Sequence, residues 1–181
     1  MQPTHHVLRT ARFVLTLWVM IFLSSLQLVS AQEKVDANGI MTLDWIDLIP
    51  PAERNAIPPQ RTTPIDHEKD TPPQNRYGGF RDDLDGQKVR MPGFVIPLEG
   101  DDKTVTELLL VPYFGACIHV PPPPPNQIVY VKFDKGAPLQ GLWDVVYIVG
   151  TLRTQKVDSD LGQAGYLIEG VNVETYSEPR S

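Results

Sequence analysis

The single cysteine of this chain lies two residues before a histidine, at Cys117 and His119. If the run from Phe114 to His119 is extended, side chains alternate across the backbone, so this pair projects from one face about 7 Å apart along the strand. A thiolate and an imidazole suit Zn(II) or Cu(I). The pair is therefore the first candidate for chemistry, as a metal site.

Two ligands are too few, because a structural zinc site needs four and a catalytic site needs three plus a water molecule. His67 and Glu99 are candidates for further ligands on chemistry alone. Three more carboxylates could serve only if the fold brings them close: Asp101, Asp102 and Asp144. No paired CxxC or HxxxH motif is present, so metal binding is a hypothesis that rests on Cys117 and His119.

Cys117 could also be a nucleophile, which would make the chain an enzyme. It would then need a lowered pKa and an adjacent base, which His119 supplies only if the strand bends. In an oxidising compartment a lone cysteine cannot form an intramolecular disulfide, although it can link two chains. The simplest alternative is a small buried side chain beside a hydrogen-bonded histidine.

Five consecutive prolines, Pro121 to Pro125, follow the pair. They predict a polyproline II segment without backbone donors, so that sheet pairing stops beside the pair and resumes at Gln127. Such a ridge can dock into an aromatic groove of a partner, or it can cover a sheet edge and wall a pocket. Its position between two strands favours the structural role.

Residues 1–31 are predicted to be a signal peptide. Arg9 and Arg12 precede the apolar run Phe13 to Leu28, and Val29-Ser30-Ala31 supplies small residues for cleavage after Ala31. An uncleaved anchor is the alternative, but the run is short for a membrane span. No cysteine lies at the cleavage point for acylation, so we expect a periplasmic protein without a stable membrane anchor.

The mature chain is expected to be one acidic domain of 150 residues. The leader contains two of the 16 Lys and Arg and none of the 22 Asp and Glu, which leaves 14 against 22, a formal charge of −8. This balance argues against nucleic acid and anionic lipid as partners, because both require a basic face. It is compatible with the binding of cations.

Residues 32–83 predict a proline-rich arm. Within it, Leu43 to Ile49 has the spacing of a short amphipathic helix that ends at Pro50-Pro51 and docks by Trp45. The stretch from Pro50 to Asn75 is expected to be extended, because repeated Pro-Pro pairs favour polyproline II.

Residues 84–176 predict a mostly β domain, followed by a tail at 177–181. Pro92-Gly93 suggests a bend in the first strand, and Thr154 to Gly165 is polar enough to be a loop. Five or six strands without a long helix in about 90 residues predict a small, bent, mostly antiparallel OB-like barrel, with a β-sandwich as the alternative. The expected strands are Lys88 to Leu98, Val105 to Tyr113, Ile128 to Phe133, Leu142 to Arg153 and Tyr166 to Glu174.

The larger aromatic residues are expected to be core anchors rather than ligand platforms. An OB-like face could nevertheless bind oligosaccharides. The residues concerned are Trp45, Trp143, Tyr113, Phe114 and Tyr130.

Three stretches resemble the exported bacterial proteins grouped as domain of unknown function 3299. They are LDWIDLIPP at Leu43 to Pro51, MPGFVIPLEG at Met91 to Gly100, and LLVPYFGACIHVPPPPPNQIVYV at Leu109 to Val131. The resemblance covers most of the mature chain and brings no established activity. It implies a periplasmic or lipoprotein partner protein, with some members encoded near ABC-type export or metal-uptake systems. This chain differs from the lipoprotein members because it lacks the acylated cysteine.

From residues and resemblance together we expect an exported, non-enzymatic binding or accessory protein. It would handle a metal ion, Zn(II) or Cu(I), through the face that carries Cys117 and His119, or dock onto a transporter or other envelope protein. The alternative is an enzyme that uses Cys117 as nucleophile or metal ligand.

Overall fold

A computed structural model describes residues 35–55, 74–101, 103–117, 122–138 and 145–176. The chain divides into two compact units, Met1–Asp36 and Ala37–Ser181. Val35 and Asp36 are the residues of the first unit that fall in these ranges, and the fold reported below is that of the second. The predicted signal peptide lies outside the described residues.

The described residues of the second unit contain eight strands. Five of them correspond to the strands expected from the sequence, with ends that differ by up to five residues. The strands are β1 Met41–Thr42, β2 Lys88–Gly100, β3 Thr104–Val111, β4 Val129–Pro138, β5 Val145–Arg153, β6 Val157–Ser159, β7 Gly162–Ala164 and β8 Tyr166–Thr175.

The five long strands form a closed barrel. Their order is β2–β3–β4–β8–β5, and β5 pairs again with β2. The pairs are antiparallel except that β4 and β8 run parallel. A closed five-stranded barrel of this kind is the OB-like architecture that the sequence predicts, and the β-sandwich alternative is wrong because β2 closes the sheet on itself.

Strand β2 closes the barrel by serving two neighbours in turn. Its first half, Lys88 to Phe94, pairs with β5, and its second half, Phe94 to Gly100, pairs with β3. The change of partner follows directly after Pro92-Gly93, at the bend that these two residues predict. A proline and a glycine at that point let one strand turn the corner of a small barrel.

The segment before the barrel contributes one short strand and two 3₁₀ helices. Strand β1 pairs in parallel with β2, and the helices comprise Trp45–Leu48 and Asp82–Leu84. The sequence predicts a longer amphipathic helix around Trp45; the structure has a single tight turn there because the chain is extended at both Asp44 and Ile49. Trp45 packs against the core, as its hydrophobic spacing predicts.

The helices of the described ranges are all 3₁₀ helices of three or four residues. None of the helices in this part of the chain is long and apolar enough to span a membrane.

The barrel interior is one continuous apolar cluster. Alternate residues of the strands point inward, and Leu43 and Leu48 from the preceding segment join them. The largest fully buried member is Tyr166 at the start of β8. Among the strand residues, the cluster includes Val89, Met91, Val95, Leu108, Leu110, Val129, Val131, Ile148, Leu152 and Ile168.

The opposite faces of β2, β3 and β4 carry a second cluster outside the barrel. Ile96 and Leu109 lie in register there, and the chain between β3 and β4 covers them with Ala116, Cys117 and Ile128. This covering explains why β3 is apolar on both faces, since Leu108 and Leu110 face inward while Leu109 and Val111 face outward.

Strands β6 and β7 form a hairpin in the stretch predicted to be a loop, so that prediction is wrong for Val157 to Ala164. Polar groups hold the hairpin: the Ser159 hydroxyl donates to the Gly162 carbonyl oxygen at 2.7 Å, and the Gln163 side chain donates to Asp158 at 2.9 Å. Since no apolar alternation is involved, the pattern used to find strands gives no signal here.

Candidate binding site

The chain leaves the sheet earlier than the predicted strand. Strand β3 ends at Val111, and residues 112–117 form turns in which Gly115 has φ 79° and Cys117 has φ 66°. Pro112 removes a backbone donor at this point, and Gly115 takes up a conformation that other residues rarely adopt. The expectation of an extended run is therefore wrong for Phe114 to Cys117, and the same-face argument for Cys117 and His119 loses its basis.

Cys117 is the only residue other than glycine with a positive φ in the described ranges. Its side chain is 9% exposed and packs in the outer cluster with Ala116, Val111 and Ile128. Burial raises the pKa of the Cys117 thiol to about 11. The thiol is therefore protonated at neutral pH, whereas a nucleophile or metal ligand requires the thiolate.

The other predicted ligands do not join Cys117 in the described residues. His67 and His119 lie outside these residues, as do Asp102 and Asp144. Glu99 pairs with Glu107 near the far end of the β2–β3 ladder from Val111. In the ranges that the structure covers, no three His, Cys, Asp or Glu side chains lie close enough to hold a metal ion.

Glu99 instead borders an open depression of about 530 Å³ at the β2–β3 turn. Asp101 lies in the same wall, and its carboxylate accepts hydrogen bonds from the backbone N–H groups of Lys103 and Thr104 and from the Thr104 hydroxyl. These backbone bonds, that of Lys103 first, lower the pKa of Asp101. The carboxylate is thus engaged in closing the turn.

The described part of the proline run has a structural role. Pro123 and Pro125 are buried, and the Pro123 carbonyl oxygen accepts a hydrogen bond from the Gln74 side chain at 2.8 Å. The Pro125 carbonyl oxygen accepts another from the Gly165 N–H at 2.7 Å. The run is therefore packed between the hairpin and the upstream segment, in agreement with the role that its position between strands favours.

The most distinctive surface feature is an apolar groove of about 270 Å³ beside the bend of β2. Three aromatic side chains and two prolines supply most of its wall. The lining residues are Trp45, Pro92, Gly93, Phe94, Pro112, Val145 and Tyr176.

The 3₁₀ helix fixes Trp45 in the groove. The Gln127 side chain donates a hydrogen bond to the Trp45 carbonyl oxygen at 3.0 Å, and the Asp44 N–H donates to Asp47 at 3.0 Å across the helix start. Gly93 permits the approach, since a Cβ there would lie 3.0 Å from the Trp45 ring and 2.6 Å from Leu110. The glycine that bends β2 thus also brings the indole onto the barrel.

Tyr176 extends the groove into a row of stacked rings. It stacks on Tyr147 with centroids 5.2 Å apart and planes at 28°. The Arg90 guanidinium lies 3.3 Å from the centroid of Tyr147, and its Nε donates to the Glu174 carboxylate at 2.7 Å. The Arg90 guanidinium, the Tyr147 ring and the Tyr176 ring therefore form a row on the outer face of β2, β5 and β8.

Exposed aromatic residues border the groove on the other side. Phe114 is 59% exposed and meets Phe94 edge to face at 6.2 Å, and Tyr113 is 44% exposed. The expectation that Phe114 and Tyr113 anchor the core is wrong, because the turn after β3 points them outward. Tyr130 is half-buried on the outer face, where its hydroxyl and the Lys132 ammonium both donate to Glu107; Trp143 lies outside the described residues.

Sequence reasoning missed this groove. Its rings come from Trp45 and Tyr176, which are far apart in the sequence, and from Phe94 on β2, so no motif marks them. The available signal was the aromatic residue at position 94 directly after Pro92-Gly93, which places a ring at the barrel corner.

The closed barrel and the lateral groove define a small β-barrel protein of the OB type. The chain belongs to the DUF3299 family, described as a protein of unknown function, whose model matches residues 45–175.

Comparison with a solved structure supports this assignment. A crystal structure of a DUF3299 family protein from Pseudomonas aeruginosa PAO1 is 37% identical in sequence and has a TM-score of 0.64. The match covers 78% of this chain and 99% of that one. Among curated proteins, no significant match is found.

Proposed function

We propose that this chain is an exported, non-enzymatic binding or accessory protein, and that the groove lined by Trp45, Phe94 and Tyr176 is its binding surface. The observation that carries the proposal is the groove itself, a concave apolar surface with aromatic walls whose lining, among the described residues, contains no charged side chain. Concave, mostly apolar surfaces are where proteins bind ligands. Phe114, exposed at the border, adds a contact residue of the kind enriched at protein interfaces.

The state of Cys117 supports a binding role over an enzymatic one. A buried thiol with a pKa raised to about 11 is a poor nucleophile at neutral pH. Metal handling through Cys117 and His119 remains a prediction, because His119 lies outside the described residues. Association with a transport system is proposed from the family resemblance.

Export is the first part of the proposal to test. The full chain with its own leader should be expressed in a Gram-negative host, and the periplasmic fraction examined by intact-mass analysis. We expect a mature chain that begins at Gln32, because Val29-Ser30-Ala31 provides the cleavage site. Full-length chain in the membrane fraction would contradict export as a soluble protein.

The groove is tested by site-specific cross-linking. A photoreactive phenylalanine analogue would replace Phe114, which contacts Phe94 at the groove, or in a matched control Val171, which is 75% exposed on β8. In cells we expect discrete cross-linked species from position 114 that disappear when Tyr176→Ala is added, and none from position 171. Equal cross-linking at both positions, or no effect of Tyr176→Ala, would refute the groove as the binding surface.

A further inference from the structure

We propose that the groove binds the quaternary ammonium group of a small soluble molecule, an inference that rests on the groove being the binding surface of the proposed function. The walls supply three kinds of aromatic ring in one place, from Trp45, Phe94 and Tyr176. The faces of such rings carry partial negative charge and attract cations, indole most strongly. Pro92 and Pro112 provide apolar surface against which the methyl groups of the ligand pack.

The charge around the groove fits a cationic occupant. Among the residues that the structure describes, no Lys or Arg belongs to the lining, and the chain as a whole has a formal charge of −6. Arg90, the cation on the neighbouring ring, is neutralised by Glu174 at 2.7 Å. A mobile cation therefore approaches an acidic protein without a fixed positive charge in the described part of the groove wall.

The same aromatic row already holds one cation. Arg90 lies over Tyr147 at 3.3 Å, and Tyr147 stacks in turn on Tyr176. Tyr147 on β5 pairs with Pro92 on β2 and with Glu174 on β8. Arg90 lies two residues before Pro92, and Tyr176 lies two residues after Glu174. Arg90 and Tyr176 therefore lie on opposite sides of Tyr147, and the ring of Tyr176 stays available to the groove.

The volume of the groove favours a small molecule over a longer ligand. At about 270 Å³ the groove is smaller than the roughly 300–1,000 Å³ of sites for drug-sized ligands. A trimethylammonium group with a short polar tail fits such a volume, and the open side leaves the tail in water. The ligand class is accordingly a soluble molecule of the choline or betaine type.

The decisive measurement compares choline with 3,3-dimethyl-1-butanol, its uncharged isostere, by calorimetric titration of the mature protein. If the ring faces recognise the charge, choline should bind at least about tenfold more tightly than the isostere, a difference within the usual range for desolvated cation–π contacts. Tyr176→Leu should weaken choline binding about tenfold, and Tyr176→Phe should restore it because the ring is retained. Tyr77→Leu, a substitution of a tyrosine exposed outside the groove, is the matched control and should change nothing.

The other outcomes separate this inference from the proposed function. If the isostere binds as well as choline, the groove binds apolar ligands and the cationic class is wrong while the binding role stands. If neither binds but position 114 still cross-links in cells, the ligand class alone fails; if neither result appears, both proposals fail. Sedimentation with phosphatidylcholine vesicles that Tyr176→Leu abolishes, in protein that binds no free choline, would identify a lipid surface as the source and overturn the soluble ligand.

Discussion

The hydroxyl of Tyr166 donates a hydrogen bond to the carbonyl oxygen of Leu48 at 2.8 Å and accepts one from the Arg81 N–H at 2.7 Å. Tyr166 is fully buried at the start of β8, and Leu48 ends the 3₁₀ helix that carries Trp45. One phenol therefore joins the last barrel strand to two upstream segments. Through Leu48 it also helps to hold the helix from which Trp45 reaches the groove.

We expect Tyr166→Phe to destabilise the fold by about 1–3 kcal/mol, because it leaves two backbone groups without their buried partner. The apolar ring remains, so the loss reports the hydroxyl alone. Chemical denaturation followed by tryptophan fluorescence measures the change, with Tyr77→Phe as a control at an exposed position. A stability equal to that of the wild type would show that water replaces both hydrogen bonds.

The sequence predicts the barrel because its strands are runs of β-branched and aromatic residues between turn signals, with Pro92-Gly93 marking the bend. It does not predict the hairpin of β6 and β7, which polar side chains such as Ser159 and Gln163 hold together. The helix near Trp45 was predicted too long, because spacing alone does not distinguish a 3₁₀ turn from an α-helix.

The reactivity of Cys117 offers a second prediction. With its pKa raised to about 11 by burial, only on the order of a thousandth of the thiol is ionised at pH 8. We expect iodoacetamide labelling to be slow at that pH and to rise about tenfold per pH unit up to pH 10. Intact-mass spectrometry follows the rate, with protein unfolded in urea as the reference. A rate that levels off near pH 9 would indicate an ordinary, accessible thiol.

The same raised pKa makes stability depend on pH. Below about pH 9 the Cys117 thiol is protonated in both the folded and the unfolded protein. Above pH 9 the thiol ionises in the unfolded chain first, so the free energy of unfolding falls until the pH reaches the folded-state pKa of about 11. The loss should be on the order of 2 kcal/mol. Tyr130, with its pKa raised to about 12 chiefly by burial, adds a similar dependence at higher pH. Urea melts of wild type and Cys117→Ala at pH 8 and pH 10.5 isolate the contribution of the cysteine. If the two proteins lose the same free energy of unfolding between these pH values, the raised pKa of Cys117 is contradicted.

Because Cys117 has a positive φ, we expect glycine to be less destabilising than alanine at this position, the reverse of the usual order. At φ 66° a Cβ costs roughly 1–2 kcal/mol, which glycine avoids. Both Cys117→Gly and Cys117→Ala lose the packing of the sulfur, so their difference reports the backbone. After the extra flexibility of glycine in the unfolded chain is deducted, we expect Cys117→Gly to be more stable than Cys117→Ala by roughly 0.5–1 kcal/mol. Thermal melts of the two variants decide the sign, and a more stable alanine variant would show that this turn relaxes.

The sequence predicts the two candidate sites, Cys117 and the groove, to different extents. Cys117 stands out because it is the sole cysteine, yet its burial follows from Gly115 and Pro112, which turn the chain back onto Ile128. Trp45 and Tyr176 line one groove because β5 pairs with both β2 and β8, and barrel closure is a property of the whole sheet. Residue type thus identified the thiol, and topology alone identified the groove.

The metal hypothesis has its own test, since His119 is the ligand on which it depends. If Cys117 and His119 share one Zn(II), the protein without residues 1–31 should bind about one equivalent, and both Cys117→Ser and His119→Ala should lose it, because each ligand supplies a large part of the affinity of such a site. Binding would require deprotonation of a thiol whose pKa lies near 11, so the apparent affinity should increase with pH and zinc uptake should release a proton. Calorimetric titration of metal-free protein at pH 7 and pH 8.5, in two buffers of different ionisation enthalpy, measures both effects.

His67→Ala tests the further ligand named from the sequence. Zinc uptake that survives both His119→Ala and Cys117→Ser would place the metal elsewhere. Wild-type protein that takes up no zinc at either pH would end the hypothesis for this pair and leave Cys117 as a buried residue of the outer cluster.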